Sequence, residues 1–390
     1  MMVSSYDVSL LPREQSHTMT DNELTYLLAL SHITNIGPVR VAALIEAFGS
    51  LKNVFRASVD DIVSRSGVPR KVASSIVRFN DWKTVEDNKE EARKSGIVFV
   101  TPDDEQYPPL LRNIYDYPPL LFVKGSLSAH DVPVAVVGSR SASTYGKFIT
   151  ERISRELSCL GVTIVSGMAR GIDTAAHRGA LSGHGKTVAV MGTGIDIIYP
   201  PENRSLHTTI AESGAIVTEF PFGTQPLAPH FPLRNRIISG MSFGVVVVEA
   251  HERSGSLITA RLAGEQGREV FAIPGTIDSP GSRGTHWLIK NGAKLVESVD
   301  DILEEIAPQI TAVNQRLTVG TQPAGCPEPI PTLTDVENHL LKEVGELPVH
   351  IDTLIAKTGR EAHQVVSTLM TLEINGYIEQ QPGKFYRRKI

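Results

Sequence analysis

Seven short apolar runs, at 97–100, 134–138, 162–167, 187–192, 215–220, 243–250 and 269–275, recur through the middle of the chain with helical patterns between them. Runs such as VAVVG and FGVVVVEA show no polar alternation, so each strand must be covered on both faces. Helical periodicity over 145–160, 172–181, 203–212, 257–266 and 285–291 supplies the covering layers. Strands alternating with helices in this way predict a mostly parallel, doubly wound α/β domain, here over 86–307.

The flanks read differently. Over 21–85, NELTYLLALSHI, VRVAALIEAFGS, VDDIVSRS and RKVASSIVRF place apolar residues at three and four spacing, which predicts short helices. The connections Asn35-Ile36-Gly37-Pro38 and Ser66-Gly67-Val68-Pro69 set a glycine before a proline suited to opening the next helix, as in helix-hairpin-helix units. Such turns either offer backbone N–H groups to phosphates or simply connect, and both readings stay open. Residues 1–20 read as a loose leader, with no apolar core behind a basic start to signal export. Pro308, Pro323, Pro327, Pro329 and Pro331 mark 308–331 as a linker. Over 332–390, three helical patterns and two short strands around Gln381-Pro382-Gly383-Lys384 predict a winged helix.

Composition and missing motifs close off several classes. With 41% hydrophobic and 21% charged residues, the chain has enough apolar surface to offset its conformational entropy. No run approaches the roughly 18 apolar residues of a membrane span, so no membrane partner is expected. Two cysteines, Cys159 and Cys326, are too few for a disulfide framework or a Cys-based zinc site, which fits a reducing, cytoplasmic setting. A net charge of -5 excludes a uniformly basic coat but not a local basic groove. The patterns G-x-x-x-x-G-K-[ST], G-x-S-x-G and H-E-x-x-H are absent, and Gly192-Thr193-Gly194 lacks the third glycine of a dinucleotide fingerprint. No catalytic residue, metal or cofactor is therefore expected. Asp173 and His177, four apart on a helix, read either as an oriented general base or, more commonly, as a packing pair.

The strand ends carry the polar signal, and in a doubly wound sheet those ends form the ligand crevice. They read Gly138-Ser139-Arg140, Ser166-Gly167-Met168-Ala169-Arg170-Gly171, Glu219-Phe220-Pro221-Phe222 and Glu249-Ala250-His251-Glu252-Arg253-Ser254. Small residues let N–H groups approach an anion, and arginine supplies a fork matched to phosphate oxygens. The segment 230–240 adds Arg234, Asn235 and Arg236. Two arginines at that spacing cannot both face the core of a helix, so one is expected on ligand and one in an ion pair with Glu219 or Glu249.

Six blocks together, GSR at 138–140, SGMARGIDTAAHRGAL, AVMGTGIDIIYPPEN, FPLRNRIISGMS, VVEAHERSGSLITARLAGEQGREVFAIPG and HWLIKNGAKLV, resemble the DNA processing protein A family, DprA or Smf. The resemblance implies an extended Rossmann-like domain with a helix-hairpin-helix (SAM-like) N-terminal module and a C-terminal winged helix. It also implies a non-enzymatic activity: a homodimer that binds and protects incoming single-stranded DNA and loads a RecA-type recombinase in natural transformation or recombination. On that resemblance Gly138, Ser139, Arg140, Ser166, Gly167, Arg234, Asn235 and Arg236 bind phosphates, and His286, Ile289 and Leu295 form the dimer surface. Phe220, Phe222 and Phe231 are the candidates for base stacking. Pro229-His230 stands where members often carry a basic residue. The alternative is a nucleotide- or nucleoside-phosphate-processing enzyme on the same kind of fold, whose P-G-G-x-G-T-x-x-E motif is reduced here to Pro274-Gly275-Thr276. Duplex reading by the winged helix would want cations where Glu361, His363, Gln364 and Glu373 stand.

Overall fold

The computed structural model describes residues 21–313, 334–345, 348–374 and 377–388, and the chain divides into two compact units between 326 and 327. The first unit opens with α1 (Asp21–Ser31), α2 (Pro38–Phe48), α3 (Leu51–Arg56), α4 (Val59–Ser66), α5 (Arg70–Val77) and α6 (Trp82–Lys94). The punctuation is local. Pro38 sits in the first turn of α2, Ser50 and Ser58 accept the Asn53 and Asp61 N–H groups as N-caps, and Gly49 and Gly67 close α2 and α4 in the left-handed conformation. Leu28, Leu30, Leu44, Ile62 and Ile76 form its core, which continues into Phe122, Met191 and Ile216 of the sheet. Burial of that shared apolar surface joins the helices to the α/β part.

The sheet has nine strands: β1 (Ile97–Val100), β2 (Leu121–Gly125), β3 (Val132–Val137), β4 (Val162–Ser166), β5 (Thr187–Val190), β6 (Ala215–Thr218), β7 (Gly244–Val247), β8 (Glu269–Ala272) and β9 (Lys294–Leu295). Their spatial order is β1-β2-β6-β5-β4-β3-β7-β8-β9. All pairs from β6 through β9 are parallel, while β1–β2 and β2–β6 are antiparallel. The helices α7 (Pro109–Arg112), α8 (Thr144–Cys159), α9 (Ile172–Ser182), α10 (Arg204–Ser213), α11 (His230–Gly240), α12 (Gly255–Glu265), α13 (Arg283–Lys290) and α14 (Asp300–Val313) complete the unit. Two apolar cores lie on opposite faces of the sheet, one holding Val137, Val165, Val190 and Val247, the other Val134, Val136, Ile164 and Val246, as strands without polar alternation require.

Helix α14 runs through Pro308 to Val313, so the start of the stretch read as a linker is helical. Proline removes one helical hydrogen bond, and burial of Ile302, Ile306 and Ile310 in the core offsets the loss. The remainder of that stretch, 314–331, and the leader 1–20 lie outside the described residues.

The second unit contains α15 (Asp335–Glu343), β10 (Val349–His350), α16 (Ile351–Thr358), α17 (Ala362–Ile374), β11 (Ile378–Gln381) and β12 (Phe385–Arg388). A capping box between Thr334 and Glu337 starts α15, and the hairpin turns at Gly383 and Lys384, both at positive φ. Leu340, Leu354, Val365, Leu369 and Ile378 bury a core of their own. Three helices and an antiparallel wing make this a winged helix.

Candidate functional site

Strand order reverses at β3, whose neighbours are β4 and β7, and crossovers leave it in opposite directions. A crevice at the carboxyl ends follows from that topology. It is a cleft of about 720 Å³ between the segments after β3, β4 and β7 and the start of α11. Helices α8, α9 and α12 each begin just after one of those strands, so their N-terminal N–H groups and partial positive charges collect on one edge.

The cleft floor is cross-tied. Ser139 Oγ accepts the Ser141 N–H at 3.2 Å, and the Ser139 carbonyl accepts the Ile172 N–H at 3.1 Å. Gly171 makes this approach possible: at φ +75° its Cβ would lie 2.3 Å from the Ser139 oxygen. Glu249 accepts the Ser143 N–H at 3.0 Å and the Ser143 hydroxyl, while Ser143 caps α8 through the Gly146 N–H. Glu249 therefore braces the first loop, and the carboxylates that pair with α11 come from elsewhere.

Arg140 is exposed at the rim, its guanidinium 5.0 Å from the centroid of Phe231. Tyr199 lies 5.8 Å from that ring, and exposed His251 and Arg253 line the wall after β7. Cation, aromatic faces and small-residue loops together suit a chain of phosphates with stackable bases.

Arg234 and Arg236 depart from the expectation that one of them meets ligand by itself: both are enclosed, at 3% and 5% exposure. Helix α11 is buried on every side from residue 234 onward, so two faces of it meet protein. Arg234 Nη1 donates to the Gly167 carbonyl at 2.6 Å and to the Val190 carbonyl, tying the ends of β4 and β5. A Cβ on Gly167 would sit 2.6 Å from that guanidinium, so glycine leaves the room it needs. Burial lowers the Arg234 pKa to about 10, which keeps it charged at neutral pH beneath the cleft. Arg236 pairs with Glu219 and with Asp116 at 3.2 Å, on the far side of α11. Asn235 Nδ2 donates to the Gly255 carbonyl at 3.3 Å. Ser166 is fully buried, with its hydroxyl on the Val136 carbonyl at 2.6 Å. Gly138, Ser139 and Arg140 line the cleft with the largely enclosed Arg234 and Asn235, Ser166 and Gly167 support it from within, and Arg236 lies away from it.

The three phenylalanines do not form one platform. Phe231 faces the cleft, Phe220 stacks on His230 at 4.6 Å, and Phe222 packs edge-on against core Phe122 at 5.8 Å. Asp173 and His177 are both buried and each is held by a separate partner. Asp173 accepts the Ala169 N–H at 3.2 Å, and burial raises its pKa against the pull of Arg234. His177 holds Thr187 Oγ1 at 2.7 Å, and burial lowers its pKa to about 3, so it is neutral. Among the described residues no cluster of three metal-ligating side chains occurs, and no helix is long and apolar enough to cross a membrane.

On the other edge of the unit, Leu295 is 39% exposed, His286 Nε2 donates to the Gly275 carbonyl at 3.0 Å, and Ile289 packs half-buried against the core. The exposed apolar residues beside them are Trp287, at 57%, and Ile277, at 87%. Sequence reasoning singled out neither of these two, nor Tyr199 at the cleft; His251 and Arg253 stand in the strand end after β7 that it did mark.

A family model described as DNA recombination-mediator protein A matches residues 98–307, more than half of the chain. The chain belongs to the DprA/Smf family. Further models match DprA's winged helix domain at 324–384 and a SAM-like helix-hairpin-helix tandem at 27–79. Protein Smf of Escherichia coli is 39% identical over 381 residues, covering 95% of this chain and 96% of its own length. DNA processing protein DprA of Streptococcus pneumoniae is 52% identical over 203 residues, covering 52% of this chain and 72% of that protein. The X-ray structure of DprA from Streptococcus pneumoniae aligns with a TM-score of 0.62 at 41% identity, covering 72% of this chain and 96% of that one. The Rossmann-like, mostly parallel sheet, the helix-hairpin-helix module and the winged helix are thus this family's parts.

Proposed function

We propose that this DprA-family chain binds single-stranded DNA in the cleft at the carboxyl ends of β3, β4 and β7, protects the incoming strand, and loads a RecA-type recombinase on it during natural transformation or recombination. The observation that carries the reading is exposed Arg140 over Phe231 beside N–H-rich loops. Phosphates meet Arg140, Arg253 and the loop Gly138–Arg140, while bases lie against Phe231 and Tyr199. Arg234, charged but enclosed, adds field rather than contact. Affinity is then insensitive to sequence, because nothing in the cleft tells one base edge from another. The family membership and the relatives' name, DNA processing protein, support this reading.

The protein works by binding, without turnover, in the cytoplasm. Two copies pair through the edge formed by α13 and β9, with Leu295 and Trp287 as the apolar contacts and His286 beside them. A nucleotide-processing enzyme would instead prefer a mononucleotide. A gel-shift series with single-stranded, duplex and mononucleotide competitors at two salt concentrations separates these readings: single strands should win and weaken steeply with salt. Preference for the mononucleotide would overturn the proposal.

A further inference from the structure

A second groove, of about 410 Å³, opens where the helical module meets the sheet. Leu30, Ile36 and Val39 wall it on one side, and Leu120, Pro221 and Leu233 on the other. At its back lies Arg236, 5% exposed, whose Nη1 has no hydrogen-bond partner although Nε and Nη2 hold Asp116 and Glu219. Buried donors are nearly always paired, so this nitrogen marks a place for an acceptor. Helix α2 opens on the same groove, its N-cap Gly37 making no side-chain bond to the first turn. The groove adjoins the cleft through α11: Phe231, Pro232 and Arg234 line the cleft, Leu233 and Arg236 the groove.

We infer that this groove takes one nucleobase of the strand whose phosphates follow the cleft, an inference that rests on the function proposed above. The walls are apolar and suit the faces of a planar ring. The back is formed by Arg236, whose enclosed Nη1 is a donor without a partner, beside the acceptors of Glu219 and Asp116. Every base carries an acceptor next to a donor on its pairing edge, so each can answer that pattern. A free anion in the same position would face two carboxylates, and an aliphatic ligand would leave Nη1 unpaired. The phosphate of the same nucleotide meets the N-terminal turn of α2, which gives the helix-hairpin-helix module a part in strand binding.

The test uses the full chain and labelled oligothymidylates of two lengths, one spanning the cleft alone and one reaching the groove. Ser31→Leu fills the groove with an uncharged aliphatic side chain, and Val39→Met does so from a residue 43% exposed, where folding is not at risk. Fluorescence anisotropy should show the longer strand bound about tenfold more weakly by either variant and the shorter strand bound as before. Arg140→Ala should weaken both. If folded groove variants keep the wild-type affinity for the longer strand while Arg140→Ala weakens it, the groove assignment is wrong and the cleft stands. If Arg140→Ala changes neither length, the cleft reading falls and takes the groove with it.

Discussion

Replacing Arg236 by leucine separates architecture from surface contact. Its guanidinium lies between Glu219 and Asp116, and both it and Glu219 are largely enclosed, with side-chain exposures of 7% and 13%. Burial already raises the Glu219 pKa, and Arg236 is the main influence holding it down. Removing one member of a buried pair typically costs about 3–5 kcal/mol, because the other charge is left without compensation. The loss should depend on pH in a fixed direction. In Arg236→Leu the folded-state pKa of Glu219 moves further above its unfolded value, so the folded form binds more protons than the unfolded one. Stability is then greatest below the ordinary carboxylate range and falls as pH rises through the raised folded value. Urea unfolding of wild type and variant at about pH 5 and about pH 8 measures this, with the full deficit at the higher pH and a smaller one at the lower. The double variant Arg236→Leu with Glu219→Leu should recover most of the loss, since an apolar pair of similar volume can replace a buried ion pair. A deficit below about 1 kcal/mol at the higher pH, or an equal deficit at both, would refute the structural role.

Gly167→Ala should destabilise by about 1–3 kcal/mol through overpacking against the Arg234 guanidinium, read as a fall in the denaturation midpoint; an unchanged midpoint would mean the arginine moves aside freely. Leu295→Glu should reduce the mass seen by light scattering to that of one chain, and a folded variant that stays paired would reject the α13–β9 edge. Truncation after Val313, the end of α14, should leave single-strand affinity within about tenfold of the full chain at roughly 0.15 M salt, and loss of all binding by the folded fragment would move the site into the winged helix.

The central parallel strands β3 to β7 were legible because they are mostly apolar runs buried on both faces, as in VAVV of β3 and VVVV at β7, whereas the short, partly exposed β9 was not among the runs. β2 was not among those runs: it follows Pro118 and Pro119 closely and enters the sheet antiparallel between β1 and β6, outside the strand-helix rhythm. The cleft was legible as strand-end loops, since a doubly wound sheet sets its crevice at the carboxyl ends of its strands, although Gly138-Ser139-Arg140 alone reads equally as a tight turn with a surface arginine. The division of labour within it was not. Whether Arg234 and Arg236 meet solvent depends on Gly167, Val190, Glu219 and Asp116, residues distant in sequence that periodicity along α11 does not register. The phenylalanines divide for the same reason, Phe222 being claimed by Phe122 from β2.

The central claim is that the exposed rim at Arg140, rather than the enclosed arginines of α11, meets the phosphates of a single strand. Anisotropy titrations of wild type and Arg140→Ala against a single-stranded oligonucleotide, repeated over a range of salt concentrations, test it most directly. Each phosphate contact contributes a slope of about 0.7 to the dependence of log K on log salt for single strands, so the variant should bind all sequences more weakly and lose about that much slope. A variant with the wild-type affinity and the wild-type slope would contradict the account.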